Sequence, residues 1–309
     1  MGSKEVKNKT YDCIHFWDFP HIMTINLDVV FRKEFIKKAI IFFGNSLKAG
    51  NFLEKKAGKY GISRCYIGSH LRHYKTSNKE YYIPQWMINE LALKLKYDLN
   101  EIEKNIVSYR SSGGASIINP ILPVKVTPEF DSILVHIMCD GTDKRNKNGA
   151  ASYSQHNAYG KLNFYKKLTN VFGDIHPPSF SNDRIHDVGI PKAIISIIKN
   201  YYSIRSCGTY ESSFPKTFLY KSKEHKLAIL CAFIVDEGCI YDTLSIRVAN
   251  IRLIKSLRKI ALSLGYHCHK IKVVRDWNGT YIYGFNVSNY SLKKMKKDAI
   301  IMHPLPRIN

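Results

Sequence analysis

Two segments of the sequence share one design: an apolar run that ends in an acidic residue followed by glycine. They are DSILVHIMCDGT (131–142) and LAILCAFIVDEG (227–238). A helix that is apolar on every side must be buried on every side. An acidic end is unfavourable there, because the C-terminus carries the negative pole of the helix dipole. We interpret Gly141 and Gly238 as left-handed helix stops, so the sequence predicts two buried helices that both end in acid.

The residues after each run repeat as well. The first run is followed by a polar stretch and then by KLNFYKKLTNVFG (161–173). The second is followed by the alternating segment SIRVAN (245–250) and then by IRLIKSLRKIALSLG (251–265). The longer segments have apolar residues at helical spacing, and an Asn-Gly pair nearer the end of the chain is typical of a hairpin. Each half therefore predicts the order helix, strands, helix, strands, helix.

Two such halves predict a domain with a pseudo-twofold axis, in which the two apolar helices pack side by side. Small side chains at Cys231 and Ala232 would let the helices approach closely, and Asp140 and Glu237 would meet at their ends. Neighbouring carboxylates repel each other unless a divalent cation lies between them. The pattern therefore predicts a metal site at Asp140 and Glu237, with Mg²⁺ or Mn²⁺ as the expected cofactor.

LCAFIVDEG and ILVHIMCDG resemble the two signature motifs of the LAGLIDADG homing endonucleases, in the single-chain form that carries both copies. The resemblance covers roughly residues 120–309 and includes the segments before the motifs, LPVKVTPEF (122–130) and FPKTFLYKSKEHK (214–226). Met138 and Val235 stand where the family has its first aspartate. The penultimate acid and the final glycine are present in both copies.

This resemblance implies a monomeric, site-specific endonuclease that makes a double-strand cut in a long asymmetric DNA target. In the family the penultimate acid binds Mg²⁺ and the sheets form a saddle over DNA, which assigns catalysis and metal binding to Asp140 and Glu237. The family also has a basic residue near the scissile phosphate, for which Lys270 and Lys272 are the candidates. The strand residues expected to contact bases are Gln155, Ser245 and Arg247.

A second pattern lies in front of the repeats, in NFLEKKAGKYGISRCYIGSHLRHY (51–74). Ala57, Gly61 and Ile67 have the spacing of a small contact residue, a turn glycine and an apolar contact in a helix-turn-helix unit. The unit resembles helix-turn-helix DNA-binding domains over about residues 31–110, and Ser63 would cap its second helix. Its expected DNA contacts are Lys55, Lys59, Ser63, Arg64, Ser69, Arg72 and Lys75.

The predicted fold class is α+β, with an all-α helix-turn-helix domain followed by a pseudo-twofold pair of αββαββα units. The predicted domains are an N-terminal extension (1–30), the helix-turn-helix domain (31–119) and two repeats (120–215 and 216–309). The stretch 111–123, in which a segment rich in Ser and Gly is followed by two prolines, is interpreted as the linker before the repeats.

The charge of the chain favours a polyanionic partner. It has 47 Lys and Arg against 25 Asp and Glu, a formal net charge of +22. Double-stranded DNA is the expected partner and structured RNA a further candidate. No apolar stretch reaches the roughly 20 residues of a membrane span, so we expect no membrane partner. The 7 cysteines include no CxxC pair, which argues against a disulfide framework and for a cytoplasmic, nucleoid-associated protein.

Two other functions are compatible with the sequence. One is a transcriptional regulator that binds DNA through both domains and has a degenerate, inactive repeat domain. The other is a maturase that binds structured intron RNA. Metal-dependent cleavage distinguishes the endonuclease from both, and a preference for structured RNA over duplex DNA identifies the maturase.

Overall fold

The structure, a computed structural model, describes residues 12–62, 67–142, 151–181, 184–208, 210–240, 243–275 and 278–302. Over these ranges the chain combines α-helices with several small antiparallel sheets. Within the same ranges, the helices are too short or too polar for any of them to span a membrane.

The front part of the chain, residues 12–118, contains both helices and a sheet. Its helices are α1 (Val29–Phe43), α2 (Ser46–Ala57), α3 (Ile67–Thr76), α4 (Gln85–Leu95) and α5 (Leu99–Lys104). Its strands are β1 (Cys13–Ile14), β2 (Met23–Leu27), β3 (Tyr82–Pro84), β4 (Ile106–Ser111) and β5 (Ile117–Ile118). Strands β3, β2, β4 and β5 form an antiparallel sheet in that order.

The prediction of an all-α front domain is therefore wrong. β3 and β5 have only 3 and 2 residues, which is too short to show the alternation of a strand. β2 lies in the segment predicted to be an N-terminal extension, but it is flanked by β3 and β4 and its Met23, Ile25 and Leu27 are fully buried.

Helices α2 and α3 pack closely where each contains a glycine. A Cβ atom on Gly50 would lie 2.6 Å from the backbone nitrogen of Gly68, so a side chain at Gly50 would collide with α3. Ala57 and Ile67 are buried, and Gly61 is left-handed with φ of 69°. The buried Ala57 and Ile67 thus lie on either side of the left-handed Gly61.

The first turn of α3 is held by an acid of α2. The backbone N–H of Ile67 donates to the carboxylate of Glu54 at 3.1 Å, and a negative charge is favourable at the start of a helix. Ser63, the predicted cap, and Arg64 lie outside the described residues.

The other end of α3 is held by a buried arginine of α1. The guanidinium of Arg32, which is fully buried, donates to the carbonyl oxygens of Tyr74 (3.2 Å) and Ser77 (2.7 Å). A cation is favourable there because the last carbonyls of a helix lack partners and form the negative pole of its dipole. Helices α1, α2 and α3 are therefore packed as one unit.

The predicted linker, 111–123, is hydrogen-bonded to the repeats. Ile118 and Asp174 exchange two backbone hydrogen bonds of 2.8 Å, and the N–H of Ile121 donates to the carbonyl oxygen of Phe172 at 3.1 Å. Strand β1 also pairs with β6 (Val124–Lys125). The front part is thus attached to the repeats by backbone hydrogen bonds at two places.

The two repeats have the same order of elements: helix, two strands, helix, strands, helix. The first contains α6 (Pro128–Cys139), β7 (Gly141–Thr142), β8 (Ala151–Tyr153), α7 (Ala158–Phe172), β9 (Phe180–Ser181), β10 (Arg184–Ile185), β11 (Val188–Ile190) and α8 (Lys192–Tyr202). The second contains α9 (Lys223–Glu237), β12 (Gly238–Ile240), β13 (Leu244–Val248), α10 (Ile251–Ser263), β14 (Lys272–Arg275), β15 (Tyr281–Val287) and α11 (Asn289–Met302). The sheets have the orders β11-β8-β7 and β12-β13-β15-β14, and β9 pairs with β10.

Helices α6 and α9 pack against each other along a seam at the centre of the repeats. Their apolar runs are buried on all sides, over 130–138 in α6 and 227–234 in α9. Ala232 and Val135, which we predicted to face each other, are both buried. The sequence therefore predicted the central helix pair, whose burial explains its continuous apolar composition.

A polar cluster crosses the seam at the N-terminal ends of the helices. Asp131 of α6 is fully buried. Its carboxylate accepts hydrogen bonds from His225 of α9 at 2.7 Å and from Lys221 at 2.8 Å, and also from the hydroxyl of Tyr202. These partners satisfy a buried charge that would otherwise be costly.

The glycines after the two helices are not left-handed stops. Gly238 has φ of −87°, and Gly141 is not among the residues with positive φ. A Cβ atom on Gly141 would lie 2.5 Å from the carbonyl oxygen of Ile137, and one on Gly238 would lie 2.5 Å from that of Ile234. The chain turns directly from helix into strand at both places, and glycine is needed because a side chain has no room.

Candidate active site

The ends of α6 and α9 bring three carboxylates together. Asp140 follows the last residue of α6, and Asp236 and Glu237 end α9. Burial and the negative charges of Asp236 and Glu237 raise the pKa of Asp140 to about 7. Burial and the charge of Asp236 raise the pKa of Glu237 to about 7. The predicted pair of acids thus lies in one cluster, where burial and the charge of Asp236 disfavour ionisation of both.

This cluster suits a divalent cation that keeps much of its own water. Asp140 and Glu237 are half-buried, so their oxygens are within reach of solvent. Mg²⁺ usually binds proteins through one or two carboxylates and retains several waters. The described residues contain no group of three or more His, Cys, Asp or Glu side chains arranged to hold an ion. The two acids therefore fit a cation shared with water or a bound phosphate, and not a closed protein cage.

Asp236, which we did not predict as a site residue, has a fully buried side chain. Its carboxylate accepts hydrogen bonds from Nδ1 of His136 at 2.8 Å and from the hydroxyl of Tyr153 at 2.6 Å. The amide of Gln155 donates to it at 3.3 Å. In the sequence, Asp236 stands out only as a second acid in front of Gly238. Its partners could not be predicted, because they belong to the other repeat.

Gln155 lies beside the helix ends instead of on an exposed strand face. Its amide donates to the carbonyl oxygen of Val235 at 3.3 Å as well as to Asp236. A Cβ atom on Gly160 would overlap the Gln155 side-chain oxygen, at 1.4 Å, so this glycine leaves the space that Gln155 fills. The structure thus places Gln155 next to the acids, which corrects its expected position as a base reader.

The sheet of the second repeat has one polar, exposed face. Ser245 and Arg247 of β13 point away from the core, whereas the intervening Ile246 is fully buried. Gly284 of β15 pairs with Arg247 on one side and with Lys272 of β14 on the other. Directly paired residues point to the same face of a sheet. Arg247 and Lys272 therefore share a face of the sheet.

Lys270, the other candidate for the basic residue, is exposed and lies just before β14. Lys270 lies between the Cys268–Val287 bridge and the Lys272–Gly284 pair, and is not itself paired among the described strands. The structure thus separates the two lysines that the sequence could not distinguish.

The predicted DNA contacts of the front part lie on or after α2 and on α3. The exposed residues are Lys55, Arg72 and Lys75, and Ser69 is half-buried. Lys59 is also exposed, but its ammonium lies 3.6 Å from the carboxylate of Glu90 in α4. Glu90 thus offsets the charge of Lys59, whereas Lys55, Arg72 and Lys75 are the exposed cations among the other predicted contacts that the structure describes.

Solved structures of the homing endonuclease I-DmoI are similar to part of this chain. One, from a set of mesophilic variants, has a TM-score of 0.41 and 15% identity, and the match covers 57% of this chain and 97% of that one. A complex of I-DmoI with DNA and Ca has a TM-score of 0.38 and 17% identity, covering 58% and 94%. A complex of an I-DmoI variant with its target DNA and Mg has a TM-score of 0.35 and 16% identity, covering 57% and 97%.

No protein-family model matches the chain, and no curated protein matches it. The TM-scores and sequence identities of these matches to I-DmoI are too low to assign this protein to a family. Its function is therefore inferred from its own site.

Proposed function

We propose that this protein is a metal-dependent, site-specific DNA endonuclease of the LAGLIDADG homing type. The supporting observation is that two packed helices bring Asp140 and Glu237, one from each repeat, into a single half-buried cluster. Burial and neighbouring negative charge raise the pKa of both carboxyls to about 7, and a divalent cation would stabilise their ionised forms. The net charge of +22 favours a phosphate-rich substrate.

In this proposal Asp140 and Glu237 hold Mg²⁺ or Mn²⁺ at the scissile phosphates. The bound ions supply Lewis-acid chemistry and lower the pKa of attacking water. The buried seam of α6 and α9 fixes the two acids relative to each other, which matters because catalysis is sensitive to displacements of about 1 Å. Gln155 lies next to the acids and would help to orient groups there.

The exposed face of β13 and β14 would bind the DNA around the cut. Arg247 and Lys272 would contact phosphates, and Ser245 on the same face would hydrogen-bond base edges. Lys272 is favoured over Lys270 as the basic residue near the scissile phosphate, because it shares the face of Arg247.

The front part would bind a second stretch of the same DNA through α3. Arg72 and Lys75 are exposed on this helix, and Lys55 is exposed on α2. These three residues would contact phosphates and fix the orientation of the front part, and Ser69 on α3 would contact base edges. The protein would thus bind duplex DNA as a monomer. Its front part would add to the length of target that the repeats recognise.

The test is cleavage of a randomised double-stranded DNA library by the purified full-length protein, with Mg²⁺ or with EDTA, followed by sequencing of captured ends. We expect Mg²⁺-dependent ends that share one long sequence. Asp140→Asn and Glu237→Gln should abolish these ends but leave binding to the recovered target intact. Glu224→Ala removes an exposed acid at the start of α9 and should cut like the unchanged protein.

Three other outcomes would contradict the proposal. Binding of one DNA sequence without cleavage in any divalent ion would identify a non-catalytic regulator. Tighter binding of structured intron RNA than of duplex DNA would identify a maturase. Full cleavage by either active-site variant would remove that acid from the mechanism.

A further inference from the structure

The carboxylate of Asp236 joins the two repeats. It belongs to α9 of the second repeat, but its hydrogen-bonding partners among the described residues come from the first. Oδ2 accepts from His136 of α6 at 2.8 Å, and Oδ1 accepts from Tyr153 at 2.6 Å and Gln155 at 3.3 Å. Because the side chain is fully buried, these contacts are its replacement for water.

His136 connects this carboxylate to Lys167 of α7, a half-buried lysine. Nζ of Lys167 lies 3.0 Å from Nε2 of His136. An ammonium group can only donate, so Nε2 accepts and the single proton of the neutral imidazole lies on Nδ1, from which it is donated to Asp236. Burial and the charge of Lys167 lower the pKa of His136, in agreement with a neutral ring.

The lysine in turn depends on the acid. Burial lowers the pKa of Lys167, whereas the negative charges of Asp236 and Glu129 oppose that effect. The positive charge of Lys167 and the negative charge of Asp236 thus lie on either side of the His136 imidazole. Lys167 donates a hydrogen bond to His136, and His136 donates one to Asp236. Cys139 takes the place of Asp236 in the first motif, so this arrangement exists on one side of the seam.

We infer that Lys167, His136 and Asp236 form a buried relay that locks the end of α9 against α6. Glu237 directly follows Asp236, so the relay sets the position of Glu237 relative to Asp140. Gln155 is held by the same carboxylate. The three relay residues are positioning residues, and their effect on cleavage rests on the proposed function. Their effect on stability does not.

The relay can be tested by reversing its direction. Asp236→Asn places an amide donor against the Nδ1–H of His136 and leaves Lys167 without its buried counter-charge. Adding Lys167→Gln removes that charge and supplies an acceptor. The imidazole can then carry its proton on Nε2, donate to the glutamine oxygen and accept from the new asparagine amide. The asparagine oxygen still accepts from Tyr153 and Gln155.

We expect Asp236→Asn to lower the melting temperature in EDTA by about 5–10 °C, because it leaves a buried charge unpaired. The double variant should recover at least half of that loss. The control is the pair of Lys223, which is exposed, and Asp298, which is half-buried and also accepts from Tyr266, with the two charged groups 3.2 Å apart. In the control, Lys223→Gln should have a small effect, and its coupling to Asp298→Asn should be small, because the new asparagine would still accept from Tyr266.

Two further measurements separate the relay from simple packing. Nitrogen NMR shifts should show His136 protonated on Nδ1 in the unchanged protein and on Nε2 in the double variant. Cleavage of the target should fall on the order of 100-fold in Asp236→Asn, with DNA affinity unchanged, and should recover in the double variant.

Additive melting temperatures in the Asp236 and Lys167 cycle would overturn the relay, as would an Nε2-protonated His136 in the unchanged protein. Melting and NMR require no substrate, so they decide the relay even for a protein that cuts no DNA. Restored melting without restored cleavage, in a protein shown to cut, would overturn the positioning role.

Discussion

Without a divalent ion, the acids at the helix ends should make the protein less stable as the pH rises. The ordinary pKa values of Asp140 and Glu237 are 3.8 and 4.5, and the folded protein raises both to about 7. Between these limits the native state keeps protons that the unfolded state has released. The free energy of unfolding therefore falls as the pH rises, and the loss is complete above about pH 7.

The size of the effect follows from the two shifts. One pKa unit corresponds to about 1.4 kcal/mol, so a shift of about three units is worth at most about 4 kcal/mol per group. Both side chains are partly exposed and solvent screens their interaction, so we expect a total loss of about 2–4 kcal/mol between about pH 5 and about pH 8. Bound Mg²⁺ should recover this stability, because it stabilises the ionised form of both acids.

The assay is thermal unfolding across this pH range, in EDTA and in millimolar Mg²⁺. The control is the double variant Asp140→Asn/Glu237→Gln, which retains His136 and all other titrating groups. In EDTA, the unchanged protein should lose more stability than the double variant as the pH rises, and Mg²⁺ should remove that difference. Equal pH dependence in the two proteins, or no stabilisation by Mg²⁺ at high pH, would refute the paired, metal-binding acids.

Three variants test other parts of the structure. Ala232→Leu should cost about 1–3 kcal/mol by overpacking the seam and should reduce cleavage more than DNA binding; unchanged melting and cutting would place Ala232 outside the seam. Gly238→Ala should cost about 2 kcal/mol, because its Cβ would lie 2.5 Å from the carbonyl oxygen of Ile234; chemical denaturation measures this, with Gly58→Ala, where a Cβ meets nothing within 4 Å, as the control. Arg72→Gln with Lys75→Gln should reduce the slope of log affinity against log salt by about 2; a salt titration with unchanged slope would exclude α3 from the DNA interface.

The central helices and the positions of their acids could be predicted because that information is local. Nine apolar residues from Leu227 to Val235 require a fully buried helix, and two copies of the pattern require a partner. The turn at Gly61 could be predicted for the same reason, since a helix end followed by glycine is a short-range sequence signal.

The front sheet was not predictable in the same way. β2 does not alternate, because Asn26 is buried between Ile25 and Leu27. The partners of Asn26 and its neighbours lie about eighty residues away, in β4. Its strand character therefore comes from pairing, and not from its own composition.

The partners of Asp236 were hidden for a similar reason. In the sequence, His136 is a single polar residue in an apolar helix, and Lys167 is one basic residue in an amphipathic helix. Only the packing of α6, α7 and α9 brings them to the carboxylate. The corrected role of Gly141 and Gly238 also depends on a tertiary path, from helix directly into strand.

The backbone hydrogen bonds that attach 111–123 to the first repeat would fix the distance between the two parts of the protein that contact DNA. With Ile118 and Ile121 bonded to Asp174 and Phe172, the front part cannot slide along the duplex independently of the repeats. Because the duplex turns once in about 10 base pairs, inserting about five between the two contact regions would rotate one of them to the opposite side. Inserting a full turn would return both contact regions to the same side of the duplex but would increase the distance between them. The spacing between the two halves of the target should therefore be as selective as their sequence.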